Sequence, residues 1–266
     1  MNYWTEKSVE FANQRNYLDS LFRIYPMSTN IRRNISDDKW ERIENSFNNR
    51  DNERLIRELL KLELFPIKDS YVAYLKKDSS SIERNPNTIA RIAGALYEMG
   101  LDNIYEKSTE PKETNRQIGP LFKRWISTGV LGAPVFNSVN AFLETEGNAI
   151  LNVSDNEMER FAKEYLGYNH EKGLDFVARF NDKYIIGEAK FLTDFGGHQD
   201  GQFNDAISTI TSDLLPNILN AEVIKIAICD GVLYIRRNSK MHRHLINHGE
   251  QIVLSSLLLR EFLYSI

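Results

Sequence analysis

Gly173-Leu-Asp-Phe-Val-Ala-Arg-Phe-Asn-Asp-Lys-Tyr-Ile-Ile-Gly-Glu-Ala-Lys190 is the stretch that decides the fold. Residues 174–180 and 183–191 are rich in aromatic and β-branched side chains, and Asn181-Asp182 supplies a two-residue turn between them. The pattern predicts a β-hairpin. Its register then follows: Phe180 faces Lys183, Val177 faces Ile186, and Asp175 lies opposite Glu188. Side chains alternate between the two faces of a strand. Leu174, Phe176, Ala178 and Phe180 therefore join Ile185, Ala189 and Phe191 on a core face. Asp175, Val177, Ile186, Glu188 and Lys190 share the other face.

Directly opposed side chains place their Cβ atoms about 4.5–5.5 Å apart, where like charges repel. A bound divalent cation is the usual reason for a fold to accept two carboxylates so close. Mg²⁺ takes oxygen ligands, commonly one or two carboxylates with waters and a substrate phosphate. Asp175 and Glu188 are the expected ligands. Such a metal acidifies a bound water and neutralises phosphate charge in the transition state. Lys190 would orient the attacking water, deprotonate it, or stabilise the pentacoordinate phosphorus; the residues leave these three roles open. The alternative is an ordinary solvated Glu/Lys pair on an exposed hairpin.

Leu174-Asp175 followed by Glu188-Ala189-Lys190 resembles the PD-(D/E)xK nuclease signature, and in particular that of type II restriction endonucleases. Leu174 stands where the motif has proline. The resemblance implies an α/β (α+β) fold: a restriction-endonuclease-like mixed sheet flanked by helices, here with a helical N-terminal part. It implies that Asp175 and Glu188 bind Mg²⁺ and that Lys190 assists the water. It also implies cleavage of double-stranded DNA leaving 5′-phosphates, by a homodimer cutting both strands of a palindromic or near-palindromic site. A cognate DNA methyltransferase is expected as a separate protein. A PD-(D/E)xK nuclease of DNA repair or structured-DNA processing, and a non-catalytic DNA-binding protein, are the two rival readings.

Composition narrows the field. The chain has 266 residues, 42% hydrophobic, with a net charge of −4. That length suits one large domain or two modest ones. The charge argues against a protein that coats nucleic acid non-specifically. It still permits a local positive cleft. The single cysteine, Cys229, excludes a disulfide framework and reads as a small core residue of a buried strand over 223–229. No run of 18 apolar residues occurs, so no membrane-spanning helix is expected. No secretory signal is read at the N-terminus. A cytoplasmic location is the expectation.

Two regions are expected. Residues 1–115 form a helical accessory and DNA-recognition region, and 116–266 form the catalytic domain. In the first, helices are predicted after Asp37 and over 52–64. Another runs over 87–100, with Thr88 as cap and Gly100 as stop. The polar connector 106–120 marks the boundary. Asn115, Arg116 and Gln117 are candidate DNA contacts, because these residue types read phosphates and base edges; a solvated turn is the simpler reading.

In the second region, Ser154 and Glu157 form a capping box before a helix ending at Gly167. Glu159 and Glu164 on it are candidates for an extra carboxylate, with surface charge as the simpler reading. After Lys190, Gly196, Gly197 and Gly201 punctuate a loop carrying His198, Gln199 and Gln202, which are assigned to DNA binding. A helix is expected from 205 to 215. A second hairpin is predicted to turn at Asp230-Gly231. The cluster Arg236, Arg237, Lys240, His242, Arg243 and His244 is the most basic in the chain, and residues 252–266 read as an apolar helix.

Overall fold

A computed structural model describes residues 1–28, 32–111 and 116–266. The chain opens with α1 (Tyr3–Ala12) and α2 (Tyr17–Ile24). Six helices follow: α3 (Asp37–Asn48), α4 (Asn52–Leu60), α5 (Ser70–Lys77), α6 (Ser81–Arg84), α7 (Pro86–Met99) and α8 (Leu101–Ser108). Next come α9 (Ile118–Ser127), β1 (Val135–Phe136), α10 (Val139–Glu144), β2 (Ala149–Leu151) and α11 (Asp155–Leu166). The last third holds β3 (Phe176–Phe180), β4 (Lys183–Leu192), α12 (Gly197–Thr211), β5 (Val223–Gly231), α13 (Lys240–Asn247), β6 (Val253–Leu254) and α14 (Leu259–Ser265). No helix among the described residues is long and apolar enough to cross a membrane.

Two compact units result: Met1–Met27 with Thr114–Ile266, and Ser28–Glu113. The division departs from the expected one, which gave all of 1–115 to the helical region. Val9, Tyr17, Leu21 and Ile24 of the first two helices are buried in the core of the sheet unit. Apolar burial decides membership, and helical pattern alone carries no information about which core a helix joins.

The helical unit has its own core, with Ile43, Leu55, Ile56, Leu59, Ile92 and Leu96 among its buried residues. Each recurs at the spacing of one helix face. α7 begins three residues earlier than a Thr88 cap predicts, with Pro86 at its first turn after Asn85. Proline suits that position because its missing N–H is an orphan there anyway. Gly100, at φ 79°, ends α7 and α8 starts at once.

The other unit is a six-stranded mixed sheet in the order β1-β2-β3-β4-β5-β6. β2, β3 and β4 are antiparallel neighbours, whereas β4, β5 and β6 run parallel. The hairpin pairs Phe180 with Lys183 and Val177 with Ile186. Asn181 and Asp182 both have positive φ, 48° and 63°, as a type I′ turn requires. Both faces of the sheet are covered. Phe176, Ala178, Phe180, Ile185 and Ala189 belong to one core. Leu174, Val177, Tyr184 and Ile186 belong to the other, with Met158, Phe161 and Ala162 of α11. Leu174 thus changes sides from the expected face. Regular pairing stops at Phe176–Gly187, and Asp175 N instead donates to the Gly187 carbonyl at 3.1 Å. That slip of one position breaks the alternation just before the strand.

Three further expectations are corrected. The Asp230-Gly231 hairpin does not form: β5 runs through to Gly231, a short 3-10 turn follows at Val232–Tyr234, and β5 pairs instead with β6 in parallel. The glycine-punctuated segment after Lys190 is not a loop to 204, since α12 begins at Gly197. The C-terminal stretch is a strand, a 3-10 turn and a short helix rather than one helix. Cys229 is fully buried.

Candidate active site

Asp175 precedes β3, and Glu188 and Lys190 lie on β4, so the hairpin brings all three together. Alternation along β4 sends Ala189 into the core on one side and leaves Glu188 and Lys190 on the other. Lys190 Nζ lies 2.5 Å from Glu188 Oε1 and 3.7 Å from Asp175 Oδ2. The Ala189 amide donates to Asp175 Oδ2 at 2.9 Å. Glu188 Oε2 accepts from the Thr209 hydroxyl of α12 at 2.9 Å. The side chains of Asp175 and Lys190 keep 18% and 23% of their surface exposed, so the cluster opens to solvent, whereas the Glu188 side chain keeps 8%.

The electrostatics follow from that partial burial. Burial pushes the Asp175 carboxyl above its ordinary value; the Lys190 charge and the Ala189 amide oppose the shift, and the charges of Glu188 and Asp155 add to it. For Lys190 burial works against the charge, but Asp175 and Glu188 outweigh it and the ammonium titrates above its ordinary value. The resting cluster is therefore two acids clamping a protonated lysine.

The donor set fits Mg²⁺. Two carboxylates with access to solvent are what this ion accepts when waters and a phosphate complete its shell. The polar contacts of the Asp175 carboxylate fall on Oδ2, which leaves Oδ1 for a ligand. No group of three or more His, Cys, Asp or Glu capable of caging a metal by protein atoms alone occurs among the described residues.

Two neighbours escaped the sequence reading. Thr209 carries no motif signal; only its place in α12 against β4 brings it to Glu188. Asp155 opens α11, ion-paired with Lys123, and its Cβ sits 3.3 Å from where a Cβ on Gly173 would stand. Its charge thereby acts on Asp175. Glu159, one turn on, pairs with Lys163 at 2.6 Å. Glu164 is exposed.

The residues assigned to DNA contact separate. His198 is exposed, and its Nε2 lies 3.1 Å from Gln202 Nε2 on the first turns of α12. Gln199 is buried, and its Oε1 accepts from the Thr193 amide at 3.1 Å. It braces the exit of β4 to the helix. Arg116 is exposed and Gln117 stands at the N-cap position of α9; Asn115 lies outside the described residues. The basic cluster adjoins α12. The Arg237 guanidinium lies 5.5 Å over the Phe195 ring, and Lys240 Nζ is 3.9 Å from Asp200. Phe203 meets His244 edge-on at 5.4 Å. Arg236, Arg237, Lys240 and Arg243 are exposed, but His242 is buried.

The family model described as Tsp45I type II restriction enzyme matches residues 2–266. No curated protein and no solved structure matches the chain.

Proposed function

We propose, for a chain that belongs to the Tsp45I type II restriction enzyme family, Mg²⁺-dependent hydrolysis of both strands of double-stranded DNA at a short specific site, leaving 5′-phosphates. Membership in that family supports a sequence-specific DNA endonuclease; the metal, the chemistry and the residues are our reading. The observation that carries it is the convergence of Asp175, Glu188 and Lys190 at one partly open end of the hairpin.

Asp175 and Glu188 would hold the ion. Mg²⁺ bound there supplies charge neutralisation at the scissile phosphate and a water of lowered pKa. Lys190, held as an ammonium by its two acids, is suited to orient that water or to stabilise the phosphorane charge, and poorly suited to take a proton. Asp175 is fixed by the Ala189 amide, so its carboxylate is oriented before any ligand arrives, which lowers the cost of assembling the site. His198, Gln202 and the exposed basic residues of 236–243 form the surface offered to DNA. Arg116, Gln117 and Asn115 are a second candidate contact. Unit 28–113 is assigned to accessory recognition, and a homodimer with a separate methyltransferase completes the scheme.

The decisive experiment is a plasmid digest in Mg²⁺ with sequencing of the fragment ends. Discrete fragments with one shared end sequence and 5′-phosphates are expected. A smear would favour a repair-type nuclease, and intact plasmid a non-catalytic DNA-binding protein. Ca²⁺ should support specific binding with little cleavage, because it occupies oxygen sites but tolerates looser geometry and acidifies its water less.

A further inference from the structure

Both oxygens of Glu188 are engaged, and by different kinds of partner. Oε1 meets the Lys190 ammonium at 2.5 Å, and Oε2 accepts from the neutral Thr209 hydroxyl at 2.9 Å. Thr209 itself is fully buried in α12. A threonine hydroxyl has a single proton. The hydroxyl also lies 3.2 Å from the Asp205 carbonyl four residues back. That back-bond would satisfy a helical threonine by itself. The shorter contact and the charged acceptor direct the proton to Glu188 instead.

Oε2 lies on the buried side of the cluster: Thr209 is fully buried and the Glu188 side chain keeps only 8% of its surface exposed. Tyr168 lies on this side; burial pushes its phenol up to about 12, against the Thr209 hydroxyl, and the Glu188 charge adds to the rise. Threonine is also stiff at χ1, because its β-branch leaves few rotamers in a helix. A rigid donor on a packed helix can therefore fix which way a carboxylate turns.

We infer that Thr209 is a positioning residue for Glu188: it pins Oε2 and so keeps Oε1 turned to the open, metal-accepting side of the cluster. The inference rests on Glu188 as a metal ligand. It also ties the ligand to α12, the helix whose first turns carry His198 and Gln202.

The test is a calorimetric titration of Mn²⁺ into the full-length protein without DNA, on wild type, Thr209→Val, Thr209→Ser and Glu188→Ala, with thermal melts of each. Valine keeps the shape and loses the donor; serine keeps the donor. Outer-shell partners of metal ligands are worth about 10- to 100-fold in affinity. Thr209→Val is expected to weaken Mn²⁺ at least about tenfold on that scale, and to raise by a similar factor the Mg²⁺ needed for half-maximal cleavage. Serine should recover most of both. If Thr209→Val binds Mn²⁺ as wild type does while Glu188→Ala does not, the positioning role is overturned and the ligand role stands. If wild type and Glu188→Ala bind Mn²⁺ alike, the ligand role of Glu188 has failed as well. Should the valine variant melt below the assay temperature, Thr209→Cys retains the volume with a weaker donor. An intermediate loss is then expected, and wild-type affinity would sink the proposal.

Discussion

Two carboxylate sites lie on neighbouring strands and are built in opposite ways. Phe191, next to Lys190 on β4, pairs with Asp230 on β5. Asp230 is completely buried. It accepts from Ser255 Oγ at 2.5 Å, from Tyr25 at 3.1 Å, from the Ser256 amide at 3.3 Å, and from the Ser256 hydroxyl. Each of these donors is neutral. Asp175 and Glu188 share one cation, one amide and one hydroxyl, with an opening to solvent. Burial raises the pKa at both Asp230 and Asp175. A buried polar group has to be satisfied, and how it is satisfied marks its purpose. Asp230 is saturated by the fold and has nothing left for a ligand. The Asp175–Glu188 pair is held by a lysine that a stronger cation can displace.

Alanine substitutions should split the two sites most sharply. Asp175→Ala, Glu188→Ala and Lys190→Ala should each lower cleavage by about 100-fold or more, the scale of a positioned acid or base, and these losses should not add. Asp175→Ala should leave stability near wild type, because it removes one of two like charges. Asp230→Ala should do the reverse. It orphans the buried hydroxyls of Ser255, Ser256 and Tyr25, at about 1–3 kcal/mol for an unsatisfied group. Urea denaturation alongside digestion measures both. Equal destabilisation by Asp175→Ala and Asp230→Ala would erase the distinction.

Gly187 separates position from chemistry. A Cβ there would stand 2.6 Å from the Ile226 carbonyl oxygen of β5, a main-chain atom that cannot swing aside. Gly187→Ala must push β4 off β5 next to Glu188, at about 1–3 kcal/mol for overpacking. Misplacement of reacting groups by about 1 Å costs up to about 100-fold, so cleavage should fall between tenfold and that limit. Unchanged turnover would mean that Glu188 tolerates a shifted strand.

A smaller effect is expected in the pH dependence of stability. Asp230 has a raised folded pKa, so the fold favours its protonated form. That contribution is complete below the ordinary aspartate range and is lost as pH rises through the raised value. Asp230→Asn cannot lose it. The difference in Tm between wild type and Asp230→Asn should therefore fall steadily as pH rises above about 4. Scanning fluorimetry between pH 4 and 8 reads this directly. A constant difference would show that Asp230 ionises in the fold as freely as in the unfolded chain.

What the sequence disclosed about these sites depends on distance along the chain. The hairpin was legible because alternation and a two-residue turn are local, and they set Asp175 beside Glu188 and Lys190. The mixed sheet flanked by helices was implied by the nuclease resemblance that this segment carries. Thr209 and Glu188 are 21 positions apart, and Tyr25 and Asp230 are 205 apart. No local period encodes either contact. The Asp230-Gly231 turn misled for the same reason. A Gly with φ 101° fits a hairpin locally, but a Cβ on Gly231 would lie 2.0 Å from the Leu192 carbonyl. That glycine serves the close approach of two parallel strands. Likewise His198, Gln199 and Gln202 read as a loop because glycines dominate, while packing of Phe203, Ala206, Ile207 and Ile210 extends the helix back over them.

The least effect is expected on α11, where it sharpens the boundary of the open site. Asp155 and Glu159 are one turn apart, and the Asp155 charge adds to the rise at Asp175. Glu159 is engaged with Lys163 in an (i, i+4) surface pair, a kind worth about 0.3–0.5 kcal/mol. Glu159→Gln should thus leave cleavage within about twofold and stability within that same margin. Asp155→Asn should change the Mg²⁺ needed for half-maximal cleavage, because it removes a negative charge that adds to the field at Asp175. The direction follows from attraction: less negative charge near the ion means more Mg²⁺ is required. Parallel Mg²⁺ titrations of both variants decide the matter. If Glu159→Gln demands more Mg²⁺ and Asp155→Asn does not, the extra carboxylate comes from the second turn of α11, and the opening of the site faces the helix rather than its first residue.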